Sequence, residues 1–264
     1  MSELQVAVAG CPFIIAPAEA LSPEERRALR RLGSDHDGGR AFRIRIEDGA
    51  PQVQPHAPVD GEPAEIRVDG DRVLVIHQRL TSEIDPFRYE AVVHRGAGAE
   101  TFAIEVAMRT ALGCRLPLES GVLLHSAGIV VKGRAYVFYG VSGAGKSTLA
   151  SFMTNVLSDE LVAIRDGFGR ATGFWGTLDA ADAPSGAYPL AATIELARGA
   201  GVSIDRLAAR NARRALLLAT VVPPHPRLWT AALRVVERLS TFPAFRLAWT
   251  PSAANAKRVV ELLP

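Results

Sequence analysis

One run of residues constrains this chain more than any other: Gly140-Val141-Ser142-Gly143-Ala144-Gly145-Lys146-Ser147-Thr148, a GxxxxGK[ST] pattern. It follows an apolar, strand-like stretch at 135–139 and leads into a stretch of helix formers. Glycine accepts backbone torsions that other residues avoid, so the amides of 141–147 can point inward together as an anion nest. A helix beginning near Lys146 adds the positive end of its dipole. Lys146 would bring a flexible ammonium to the β- and γ-phosphates of a nucleotide, and the Ser147 hydroxyl suits Mg2+. A chain of this composition produces the pattern by chance about 0.002 times. The run therefore reads as a nucleotide-binding loop spanning 140–148, with ATP and Mg2+ as the expected ligands.

Charge narrows the partners. Lys and Arg total 30 against 28 Asp and Glu, a net +2, with no polybasic tail or stripe. Neither nucleic acid nor a membrane surface is expected as a partner. Only Lys132, Lys146 and Lys257 are lysines, so a lysine placed at the end of a glycine loop stands out in an arginine-rich chain. Cys11 and Cys114 lack the spacing of a zinc or redox site. Glu3 stands where a secretory leader needs positive charge, and no run approaches the roughly 20 apolar residues of a membrane span. A reducing cytoplasm is the expected compartment.

The hydrophobic pattern predicts an α/β chain with a mixed, antiparallel-rich sheet, divided into a β-rich module with one early helix at 1–98 and a larger domain at 99–264. Ser22-Pro23-Glu24-Glu25 is a capping box that opens a helix, and Gly33 is its expected stop. Residues 42–46, 65–69, 71–76 and 91–94 read as strands, with a hairpin turn at Asp69-Gly70 and a surface loop at 48–63. A helix is expected over 101–112 with Gly113 as its stop. Residues 122–131 and 135–139 form an expected antiparallel pair around Lys132-Gly133-Arg134. Two short strands follow about Asp166-Gly167. Helices are expected at 204–218 and 228–239, then a strand at 245–249 and a last helix opened by Thr250 and Pro251.

The second cluster that carries chemistry is Val156-Leu157-Ser158-Asp159-Glu160-Leu161. Apolar residues ahead of an acidic pair suggest a strand that delivers Asp159 beside the loop, where a carboxylate can hold Mg2+ or accept the proton of an attacking hydroxyl. A solvated pair of acids at a turn is the plainer alternative. Arg206, Arg210, Arg213 and Arg214 fit a solvated helix face better than a phosphate grip. Phe168, Phe174 and Trp175 suit either packing or the lining of an acceptor pocket. Asp179, Asp182 and the residues around Pro184 read as a loop over the site.

The run from Leu123 to Ala150, with LeuSerAspGluLeuValAlaIleArg at 157–165, resembles the HPr kinase-like proteins, relatives of the HPr kinase/phosphorylase catalytic domain. The likeness runs from about Gly121 to the C-terminus and takes in Tyr188-Pro189-Leu190-Ala191-Ala192, the segment around Asp205-Arg206-Leu207 and the closing 245–263. It implies a P-loop kinase domain whose nucleotide site is similar to that of phosphoenolpyruvate carboxykinase. It implies that Gly140–Ser147 hold the triphosphate, that His125 lies near the reacting phosphate, and that Asp159 is base or metal ligand with Glu160 as its neighbouring acid. By its residue type alone, a His within an apolar strand is more often a core residue, and His125 reads that way before the resemblance is considered. Thr148 and Glu160 depart from the acidic residue and the second aspartate of HPr kinase itself.

Together these readings give an ATP-dependent kinase. Asp159, Lys146, His125 and Glu160 are the candidate catalytic residues, 140–148 binds the nucleotide, and Ser147 and Asp159 hold the metal. The expected acceptor is a Ser or Thr hydroxyl of a peptide or protein, with a small molecule as the alternative, and the resemblance implies a homo-oligomer. The interval from Lys146 to Asp159 is about one helical turn shorter than the resemblance implies. That shortening supports a second reading, an ATP-binding scaffold or regulatory protein of the same fold that transfers no phosphate.

Overall fold

A computed structural model describes residues 2–32, 38–49, 64–77, 80–96, 100–174, 176, 178 and 183–264. Gly33, most of the 48–63 loop, Trp175, Asp179 and Asp182 lie outside them. The molecule is mixed α/β, with six α-helices and two mixed sheets among the described residues. By compactness it divides into Met1–Arg115 with Val222–Trp229, and Leu116–Val221 with Thr230–Pro264. The sequence reading places one boundary, between 98 and 99.

In the first unit seven strands, β1 (Leu4–Val8), β2 (Cys11–Ala16), β3 (Phe42–Asp48), β4 (Glu65–Asp69), β5 (Arg72–His77), β6 (Leu80–Asp85) and β7 (Glu90–Arg95), form a sheet of order β1-β2-β3-β7-β6-β5-β4. Phe13, Ile15, Phe42, Val73, Val75, Leu80, Ile84 and Val93 are fully buried in it. Helix α1 (Pro23–Arg31) carries the expected box: Glu25 N–H donates to Ser22 Oγ at 3.1 Å, and Ser22 N–H donates to Glu25 Oε2 at 2.6 Å. The two-residue hairpin loop is Gly70-Asp71, one position later than expected, because Asp69 pairs with Arg72.

Helix α2 (Glu100–Leu118) does not stop at Gly113. Ala111, Leu112, Cys114 and Leu116 are fully buried around that position, and burial on this scale outweighs the roughly 1 kcal/mol cost of a mid-helix glycine.

The second unit is built on two long strands, β8 (Gly121–Val131) and β13 (Ala187–Arg198). Between them in sequence come β9 (Arg134–Tyr139), helix α3 (Lys146–Ser151), β10 (Val156–Ser158), β11 (Leu161–Arg165) and β12 (Phe168–Ala171). The first half of β8 pairs antiparallel with β11, from Gly121↔Arg165 to His125↔Leu161. Its second half pairs antiparallel with β9, from Ser126↔Tyr139 to Val131↔Arg134. β13 likewise pairs with β12 at its start and runs parallel to β9 further on. β8, β11, β12, β13 and β9 thus close a ring of paired strands.

The ring closes tightly because glycine faces its interior. A Cβ on Gly169 would lie 2.7 Å from Ala135 Cβ, and one on Gly128 would lie 2.9 Å from Val162 Cγ2. Both hairpin loops are dipeptides with left-handed torsions, Lys132-Gly133 and Asp166-Gly167, which suit the right-handed twist of the paired strands.

The sheet continues through β15 (Ala244–Trp249), parallel to β13, to β14 (Val202–Arg206) at its edge. The expected helix over 204–218 is therefore strand β14 followed by α4 (Ala209–Ala219). Ile204 satisfies both periods, and pairing with Leu247 decides for the strand. Helix α5 spans Pro226–Leu239. Helix α6 (Ala253–Leu262) is capped by Ser252, whose Oγ accepts from Asn255 N–H at 3.1 Å, rather than opened by Thr250 and Pro251. Leu149 and Ala150 of α3 share a core with Phe138, Ile194, Leu196, Leu247, Trp249, Ala256 and Val259. α3 and α6 thus cover the same side of the sheet.

Candidate active site

The glycine loop leaves β9 at Tyr139, a strand with an antiparallel neighbour on one side and a parallel one on the other. Gly140, Gly143 and Gly145 take positive φ values of 157°, 75° and 98°. Gly145 is the N-cap of α3 in the left-handed region, and the indole of Trp249 lies 3.4 Å from where its Cβ would be. The left-handed torsion favours glycine there, and the indole packs beneath it at ordinary contact distance. Ala144 N–H donates to the Val141 carbonyl at 3.1 Å. The amides of Gly143, Gly145, Lys146, Ser147 and Thr148 have no backbone acceptor among the described residues. N–H groups left without acceptors at the start of a helix are suited to an oxyanion.

Lys146 is 7% exposed, and its Nζ donates to the Gly140 carbonyl at 3.1 Å. Burial lowers its pKa, and the Glu160 carboxylate acts in the opposite direction. His125 is exposed on β8, the last residue of that strand to pair with β11 and the one directly before its pairing with β9 begins. Its pKa is also lowered, by partial burial of the ring and then by the positive charge of Lys146, against the pull of Glu160. The fold therefore brings His125, Lys146 and Glu160 into one electrostatic neighbourhood. This placement removes the core reading of His125.

Asp159 follows β10 directly and is fully buried. A buried carboxylate needs compensation, and part of it comes from Gly176 N–H, which donates to Oδ1 at 3.0 Å. Ser147 Oγ donates to the Asp159 main-chain carbonyl at 3.3 Å. The six-residue helix α3 is short, yet it still returns the chain so that Asp159 meets Ser147.

Ser158, also fully buried, sets the turn. Its hydroxyl accepts from the amides of Glu160 and Leu161, both at 3.0 Å, and donates to the Phe174 carbonyl at 2.9 Å. Ser126 N–H donates to the Glu160 carbonyl at 3.0 Å, which fastens the acid pair to β8.

Two residues at the site carry no sequence signal, Gly176 and Arg198 at the end of β13, and the cluster at 156–161 gives Ser158 no role of its own. Arg198 Nε donates to the Gly143 carbonyl at 3.2 Å across 55 positions of sequence. Other candidates lie apart. Phe168 sits beside the Asp166-Gly167 turn and pairs with Arg165, at the end of the β11–β12 hairpin remote from Leu161. Phe174 is fully buried as packing. Arg206 is on β14, while Arg210, Arg213 and Arg214 are exposed on α4, with Arg213 3.6 Å from Glu237.

Open amides, a lysine, a hydroxyl and a buried carboxylate are the donor types that a polyphosphate with its metal would need. Mg2+ binds through one or two carboxylates plus substrate phosphates, and the described residues contain no group of three acids, histidines or cysteines that would cage a metal alone. Ser147 and Asp159 are the donors that would hold it. No described helix is long and apolar enough to cross a membrane. No protein-family model and no curated protein matches the chain.

Proposed function

We propose that this chain is an ATP-dependent phosphotransferase of the HPr kinase-like type, acting in the cytoplasm on a Ser or Thr hydroxyl of a peptide or protein. The observation that carries the reading is that Lys146, Ser147 and the Asp159 main chain meet at a loop in which the amides of Gly143 and of 145–148 have no backbone acceptor among the described residues. The amides of 143–148 and Lys146 would bind and orient the triphosphate of ATP. Mg2+, held by Ser147 and Asp159, would neutralise phosphate charge. Asp159 would orient or deprotonate the acceptor hydroxyl, and Glu160 and His125 flank it. The antiparallel neighbour β8 argues against a conventional all-parallel ATPase or GTPase core.

The test is incubation with γ-labelled ATP and peptides encoded by neighbouring genes, read by mass spectrometry of the modified residue. Label on a Ser or Thr supports the reading, and tight Mg·ATP binding without label on any acceptor overturns it. The shortness of α3 favours one alternative, a nucleotide-binding scaffold of the same fold.

A further inference from the structure

Gly176 lies against both acids of the pair. Its amide donates to Asp159 Oδ1 at 3.0 Å. A Cβ placed on it would lie 3.0 Å from Glu160 Oε2 and 3.3 Å from Asp159 Oδ2. The two carboxylates of the acid pair therefore meet at one Cα. Its backbone torsion does not demand glycine, since no positive φ is recorded there. A side chain there would press first on the end of the Glu160 carboxylate.

We propose that Gly176 is a positioning residue for the acid pair: its amide fixes the Asp159 carboxylate, and its bare Cα leaves the space in which the Glu160 carboxylate lies beside it.

The inference rests on the phosphotransferase reading for its functional meaning but not for its geometry. Like charges held this close repel, and an N–H pointed at one of them offsets part of that cost. A methyl group at 176 leaves this N–H in place and pushes only on the carboxylates. Contacts of 3.0–3.4 Å are tighter than nine in ten real Cβ contacts, so the neighbour must move by a few tenths of an ångström. Glu160, with the longer and less enclosed side chain, is the one able to yield. Displacement of that size matters where catalytic geometry is held within about 0.5 Å.

The experiment uses the full chain with γ-labelled Mg·ATP and water as acceptor, so that no peptide need be known. Gly176→Ala is expected to lower kcat about tenfold with KM for Mg·ATP within about twofold. Glu160→Asp, one methylene shorter, should restore at least half of that loss when combined with Gly176→Ala. Thermal unfolding of the same four proteins supplies a readout independent of turnover: the two substitutions should be non-additive, as they are for groups in contact. Additive unfolding midpoints together with no kinetic rescue overturn the positioning role. Non-additive midpoints in a chain that transfers label neither to water nor to a peptide hydroxyl keep the positioning role and overturn the phosphotransferase reading instead.

Discussion

Lys146 Nζ lies 3.1 Å from the carbonyl oxygen of Gly140, so the ammonium is folded back over the loop that it terminates. Desolvation there lowers its pKa. A phosphate entering the loop offers a far better partner than one carbonyl, and the flexible stem lets the ammonium move to it. Lys146→Ala should weaken Mg·ATP binding by tenfold or more, the loss of a charge-assisted contact worth about 1.5–3 kcal/mol. Lys146→Arg should restore little, because a planar fork does not fit the same turn. Calorimetric titration with Mg·ATP checks both, and wild-type affinity in Lys146→Ala would remove the loop's lysine from the mechanism.

Asp159 separates the two functional readings. Asparagine keeps an oxygen able to accept from Gly176 N–H and removes the charge. Asp159→Asn should therefore fold, bind Mg·ATP within about fivefold of wild type, and lose at least about 100-fold in phosphate release from γ-labelled ATP. Undiminished release in this variant would leave Asp159 with a structural role only.

His125 gives the site a pH dependence whose sign follows from its surroundings. Its folded pKa lies below the ordinary 6.5 because of partial burial and the Lys146 charge. As pH falls from 6.5 through that lowered value, the unfolded chain takes up the proton before the folded one does. Stability is then lost on acidification, and above 6.5 the effect is absent. Denaturant midpoints at several pH values between 5 and 7.5 should fall less steeply on the acid side for His125→Asn than for wild type. Parallel acid limbs for the two proteins would contradict the assignment.

The closure of the strand ring can be tested without any ligand. Gly169→Ala forces a methyl group to within 2.7 Å of Ala135 Cβ and should destabilise by about 1–3 kcal/mol through overpacking. Ala135→Gly in the same chain should return part of it, as measured by equilibrium unfolding.

Features that depend on short-range chemistry were legible in the sequence. The capping box of α1, the Lys132-Gly133 and Asp166-Gly167 turns and the glycine loop each state their conformation in a few residues. β13 escaped because a buried strand of this kind has no alternating pattern, and its run from Leu190 to Leu196 is nearly continuous in apolar residues. β14 was drawn into a helix because its residues merge with the period of α4. At the site, residue type and spacing pointed to Lys146, Ser147 and Asp159. Ser158, Gly176 and Arg198 act through a hydroxyl between two turns, a missing side chain and a contact spanning 55 positions. Nothing local in the sequence marks any of these roles.

The indole under Gly145 has a practical consequence. Trp249 is 1% exposed, and its Nε1 has no hydrogen-bond partner among the described residues, so its emission is set by the few atoms packed against it. The chain thus carries an intrinsic fluorophore directly beneath the residue on which a bound phosphate would bear. Occupancy of the loop should be readable as a change in emission, with no label attached and no acceptor known.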